Sequence, residues 1–134
     1  ILMEKEVISL KVNVRIPVSF SDEDVCAAMR PVLEKYEIGI VRGMYKGPLY
    51  YPEDSEIVRT LLSVYREHTG DEASQPLVIG GGTYAREMEN AIAFGALFPG
   101  DPDIMHQADE YISVERLVLT AKIYADAIYR LAVE

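Results

Sequence analysis

The chain has little sulfur, no tryptophan and no surplus of positive charge: of its 134 residues one is cysteine and none is tryptophan. A single Cys26 cannot close an internal disulfide, and metal sites built on paired cysteines are excluded with it. Its neighbours Val25, Ala27 and Ala28 mark it as a small buried hydrophobe on a helix rather than a reactive thiol. A reducing compartment, the cytoplasm, is the expectation that follows. No stretch approaches the roughly 20 apolar residues that cross a bilayer, and residues 1–6 lack the charged-then-apolar pattern of a secretion signal. The abrupt opening Ile1-Leu2-Met3-Glu4 reads as the edge of a fragment. With a net charge of −9 there is no Lys/Arg surplus for a phosphate backbone or an anionic bilayer, so neither nucleic acid nor membrane is an expected partner. Neither a Gly-Lys-Ser/Thr phosphate loop nor a His-Glu-x-x-His metal helix occurs.

What is present is an ordinary globular mixture, 49% hydrophobic and 26% charged, enough for one small domain or parts of two. The charge is unevenly spread. Residues 1–47 carry seven basic and seven acidic side chains, whereas residues 48–134 carry six basic against fifteen acidic. Two units of different character, meeting near Gly47-Pro48, are expected. There is no internal repeat and no low-complexity tract.

Residues 7–18 alternate, with Val7, Ser9, Lys11, Asn13 and Arg15 on one face and Ile8, Leu10, Val12, Val14 and Ile16 on the other. That period predicts a half-buried strand ended by Pro17. Ser21-Asp22-Glu23-Asp24 offers acceptors to a first helical turn, and Val25, Ala28, Met29, Val32, Leu33 and Tyr36 recur at helical spacing. Pro31 predicts a kink or a two-piece helix. Ile38-Gly39-Ile40-Val41 resumes an extended run, so residues 7–45 read as one β-α-β unit. A second helix starts near Asp54 or Ser55, with Ile57, Val58, Leu61, Leu62 and Tyr65 as its stripe and Gly70 as its left-handed end. Residues 76–79 read as a short buried strand, and residues 91–98 as a second apolar run broken by Pro99-Gly100-Asp101-Pro102. Ser113 caps a final helix predicted to face inward through Val114, Leu117, Val118, Ala121, Ala125, Ile128 and Leu131. The nine tyrosines are expected mostly in the core.

The chemistry concentrates in Gly80-Gly81-Gly82-Thr83-Tyr84-Ala85-Arg86 and in His106-Gln107-Ala108-Asp109-Glu110. Three glycines strip side chains from a strand end, so backbone N–H groups can approach a ligand, and Thr83 and Arg86 add donors at the same point. That composition suits an anion. A glycine turn with no ligand accounts for the same residues, and Gly80, Gly82 and Ala85 also satisfy a loose dinucleotide fingerprint. Against the latter, a parallel crossover needs some 10–12 residues, whereas only residues 86–91 precede the next apolar run. His106 fits a surface or hydrogen-bonded histidine as well as a ligand. His68, near a helix end, suits bonds to free carbonyls and the helix dipole. Arg15 reads either as part of a solvated polar face or as a carboxylate clamp.

The order of Asn13-Val14-Arg15-Ile16-Pro17, Pro48-Leu49-Tyr50-Tyr51-Pro52, the triple-glycine segment, Phe94-Gly95 to Phe98-Pro99-Gly100 and His106-Gln107-Ala108-Asp109-Glu110-Tyr111 resembles the C-terminal part of bacterial dinuclear-zinc dipeptidases. The nearest type is dipeptidase V, or Xaa-His dipeptidase, kin to carnosinase, carboxypeptidase G and succinyl-diaminopimelate desuccinylase. The resemblance spans nearly the whole chain. It implies an α/β (α+β) fold: residues 1–47 as a β-α-β half of a ferredoxin-like lid, and residues 48–134 as an α-β-β-α piece of the zinc-peptidase catalytic domain.

By the same resemblance Arg15, with Asn13, holds the substrate's terminal carboxylate; Gly81, Gly82, Thr83 and Arg86 contact substrate; and His106 is a metal ligand. A guanidinium fork matches a carboxylate bidentately, and neutral imidazole is a common zinc ligand that Asp109 or Glu110 can orient. The implied cofactor is a pair of zinc ions per complete site, with manganese or cobalt as substitutes, and the implied substrate is a dipeptide. The remaining metal ligands and the general base belong to a missing N-terminal half, so the isolated chain is expected to be inactive and to self-associate through apolar strand edges. Two other functions remain open: a non-catalytic module that captures carboxylates or serves assembly, and a dinucleotide-binding fragment or related deacylase or desuccinylase.

Overall fold

The computed structural model describes residues 2–4, 7–95 and 97–133; Ile1 and Ala96, which figure in the sequence reading, lie outside them. The chain forms two compact units, Ile1–Tyr50 and Tyr51–Glu134.

In the first unit β1 (Leu2–Glu4) and β2 (Val7–Ser9) pair antiparallel, with Leu2 opposite Ser9, Met3 opposite Ile8 and Glu4 opposite Val7. Beyond Ser9 the predicted strand does not continue: residues 10–16 join no ladder. Helix α1 (Asp22–Leu33) opens with a reciprocal cap. The Ser21 hydroxyl accepts the Asp24 N–H at 3.1 Å, and the Asp24 carboxylate accepts the Ser21 N–H at 2.7 Å. The Ser21 hydroxyl also donates to the Asp24 carboxylate at 2.6 Å, and this bond first, with the Ser21 N–H second, holds the carboxyl below its ordinary range. Pro31 lies inside α1 without ending it, which leaves the Ala27 carbonyl without its usual helical donor. The helix then tightens into a 3₁₀ turn over Glu34–Tyr36. Arg42 reaches back to both Asp22 and Glu23, the latter at 2.8 Å.

None of residues 7–50 is buried. Leu10, Val12 and Val14 are exposed, Cys26 is half-buried on α1 rather than in a core, and the extended run at Ile38 to Val41 has no strand partner. The physical reason is one of thickness: a hairpin and one helix cannot enclose an interior.

The second unit holds the core. Helix α2 (Glu56–Thr69) begins at Ser55, whose hydroxyl bonds the Pro52 carbonyl at 2.6 Å instead of capping the helix. It ends at Gly70, left-handed at φ 71°, whose N–H returns to the Arg66 carbonyl at 2.8 Å. Just beyond, Asp71 accepts bonds from Ser74 and Tyr65, in that order of influence, and its carboxyl drops to about 2. Helix α3 (Val114–Val133) is started by Ser113, whose hydroxyl accepts the Arg116 N–H at 3.2 Å. Leu61 and Val64 of α2 pack with Phe98 and with Ile123 and Ala127 of α3, and Ile92, Phe94 and Leu119 flank them. Val64 is completely buried.

Three expectations are corrected here. Residues 76–79 form no buried strand, since Leu77 and Val78 are 87% and 97% exposed, and the described residues of the apolar run, 91–95 and 97–98, join no strand either, although Phe98 enters the core. A ladder needs a neighbouring strand, and the described residues offer none. Helix α3 buries Thr120, Ile123 and Ala127, not the predicted stripe; Val114, Leu117, Val118, Ile128 and Leu131 are exposed. Apolar on most of its circumference, α3 is covered where it meets α2, Phe94 and Phe98. The tyrosines are not core: none is buried, and Tyr84 and Tyr36 are largely exposed. Among the described residues, no helix is long and apolar enough to cross a membrane.

Candidate functional site

Gly80 to Thr83 run without helix or strand, and a single 3₁₀ turn, Tyr84–Glu87, follows. Ala85 is the buried anchor of that turn. The Thr83 carbonyl accepts the Arg86 N–H at 3.1 Å, while the Thr83 side chain makes no cap bond. Arg86 folds back beside the glycines: a β-carbon added at Gly82 would lie 3.6 Å from its Nη1 and 3.8 Å from its Cδ. The structure therefore brings Gly82 and Arg86 together and leaves the backbone of residues 80–83 exposed. Because a 3₁₀ turn follows the glycines where a dinucleotide site needs a helix N-terminus, that alternative loses its second half.

His106 is exposed and sits at φ 63°, in the left-handed region. Its N–H donates to Glu110 Oε2 at 3.0 Å, so one of the two acidic residues expected to orient the imidazole bonds the backbone. Gln107 returns its N–H to the Ile104 carbonyl at 3.1 Å and its Nε2 to the Asp103 carbonyl at 2.9 Å. His68 does not turn to its own helix end as expected; its Nε2 meets Asp126 Oδ2 of α3 at 3.0 Å.

The loop that carries His106 is tethered to the core at its upstream end. Asp101 Oδ1 receives Arg116 Nε at 3.1 Å and Nη2 at 3.0 Å. The Arg116 guanidinium also lies 4.9 Å over the ring of Phe98, which stacks on Tyr65 with centroids 6.3 Å apart. Sequence reasoning missed Arg116 and Asp101, since a pair fifteen residues apart leaves no periodic signal.

Residues 3–130 match the family described as Peptidase family M20/M25/M40. The chain belongs to this peptidase family. Curated relatives bearing the name "Putative dipeptidase" include proteins of Staphylococcus epidermidis, Staphylococcus saprophyticus and Staphylococcus haemolyticus, 39%, 36% and 37% identical over 92% of this chain. The chain spans 26% of the length of each of them. No solved structure matches it.

Within this peptidase-family chain, Asn13 and Arg15 lie exposed after β2 in the first unit, while the glycine loop, Arg86 and His106 belong to the second. Metal-dependent chemistry can be tested against the donors present. Among the described residues no group of three or more His, Cys, Asp and Glu side chains is gathered to hold an ion. One exposed imidazole is a donor, not a cage, because a bound zinc needs at least three protein ligands. The residues described here do not by themselves fit the metal.

Proposed function

We propose that this chain is part of a metal-dependent dipeptidase, and that it supplies the contacts to the free C-terminal carboxylate of the substrate together with one metal donor. The observation that carries the reading is the family match across residues 3–130, joined by relatives named as dipeptidases. In this reading Arg15 grips the substrate carboxylate through its guanidinium fork, with Asn13 beside it in sequence. The bare backbone of Gly81 and Gly82, with Thr83 and Arg86, receives the peptide. His106 offers a neutral imidazole to a zinc centre whose other donors come from outside these residues. Hydrolysis by the 134-residue chain alone is accordingly not expected.

The fold inferred for the complete protein is α/β (α+β), with residues 1–47 as part of a lid and residues 48–134 as part of the catalytic domain. The exposed run Leu77-Val78-Ile79 and the uncovered side of α3 support it, since both have the apolar character of surfaces made to be covered.

The test compares a dipeptide with the same dipeptide amidated at its C-terminus, using the longer protein that carries this chain. Hydrolysis of the free acid, loss of turnover on the amide and loss of turnover in His106→Ala are the expected results. Equal cleavage of acid and amide would remove the carboxylate role, and an active His106→Ala variant would remove the metal-donor role.

A further inference from the structure

The loop of residues 98–110 holds His106 in a left-handed backbone conformation that persists only where surrounding contacts over-determine it. Its bonds fall into two sets. Downstream, Glu110 accepts the His106 N–H and Gln107 closes the turn onto Asp103 and Ile104. These bonds are local and exposed, and by themselves they tie the loop to nothing outside it, so they hold only while its upstream end is fixed. Upstream, the loop is attached to α3 through Arg116 and to the core through Phe98. The Asp101 N–H donates to the Phe98 carbonyl at 3.0 Å, and Asp101 Oδ2 faces the Phe98 N–H at 3.4 Å. Its other carboxylate oxygen takes both bonds from Arg116. Phe98 is only 6% exposed, held between core neighbours and the guanidinium.

We propose that Arg116 is a positioning residue for His106: by gripping Asp101 and covering Phe98 it fixes the upstream end of the 98–110 loop to α3, and so sets where the imidazole is presented. The inference rests on the reading of His106 as a working side chain of the site. Three features make Arg116 suited to the task. It lies in the first turn of a twenty-residue helix, behind the Ser113 cap. It contacts the turn through two nitrogens and a ring face at once, which a lysine's single ammonium cannot do. It reaches His106 through five intervening residues and does not itself approach the imidazole, so its effect is on placement rather than chemistry.

The experiment uses the longer protein, with Arg116→Ala and Arg116→Lys. In Arg116→Ala the amides of Asp101 and His106 are expected to exchange hydrogen several-fold faster while that of Val64 is unchanged, and Arg116→Lys falls between. Turnover of a dipeptide is expected to drop about tenfold to a hundredfold in kcat, with KM held, because the carboxylate contact at Arg15 is untouched. Unchanged exchange at His106, or acceleration that includes Val64, would overturn the positioning role. If the unmodified protein fails to hydrolyse dipeptides, the proposed function falls, and the exchange readout still decides whether Arg116 fixes the loop.

Discussion

Arg130 holds Glu67 through two parallel bonds, Nη1 to Oε1 at 2.9 Å and Nη2 to Oε2 at 2.6 Å, tying the last turns of α2 and α3 together. The same guanidinium donates from Nε to Asp126 Oδ1 at 2.9 Å, and the other Asp126 oxygen meets His68. Arg130, with help from the Ser63 hydroxyl, lowers the Glu67 carboxyl from 4.5 to about 2. Asp126 is lowered too, by Arg130 first and His68 second.

A carboxyl depressed in the folded state adds stability above its unfolded value and loses it as pH falls through the folded one. For Glu67 that window runs from 4.5 down to about 2. Thermal melting followed by circular dichroism should show a gentler acid loss in Glu67→Gln than in the unmodified chain. The effect is modest, because the pair is exposed and screened, and a slope remains from Asp71, which titrates over the same range. Identical slopes in the two chains would exclude a contribution from the fork.

Among the described residues Val64, in the core of α2 and α3, is the one fully buried. Truncation to alanine removes two methyl groups and leaves a void, a loss on the order of 2 kcal/mol. Urea unfolding should record that loss, whereas Leu62→Ala, at a half-buried position, should lose less.

At Gly82 a new methyl group would meet Arg86 at 3.6 Å, an ordinary contact. Gly82→Ala is therefore expected to melt at the temperature of the unmodified protein. If backbone approach to the peptide matters, KM for a dipeptide rises in the same variant. A variant that folds and binds normally would show the glycine to be only a turn residue.

Replacing Arg15 by lysine keeps the charge and removes the fork. In the longer protein KM for a free-acid dipeptide should rise about tenfold or more, on the scale of a lost charged hydrogen bond, with kcat little changed. An unaltered KM would return Arg15 to the solvated polar face that alternation alone allowed.

What could be read from the sequence was local. Ser21 with Asp24, Gly70 and Ser113 mark helix ends because a cap is decided within four residues, and all three stand where the pattern put them. The nearness of Arg86 to Gly82 was legible for the same reason. Strands were not, because alternation at residues 10–16 and the apolar run at 77–79 give a preference that only a neighbour converts into a ladder. The buried side of α3 was hidden by a helix apolar nearly all round, in which spacing cannot choose between Leu117 and Ile123. Arg116 escaped because its bond to Asp101 depends on where a loop returns, not on any period.

The first unit leaves Val41 and Met44 almost wholly in water, and residues 7–50 seal nothing away. A segment that hides no oil has little to resist unravelling, so its outline has to be imposed by whatever comes to lie against it. Under the proposed function the aim of Arg15 is then inherited from company, and a preparation lacking that company would keep the guanidinium while losing the proposed grip.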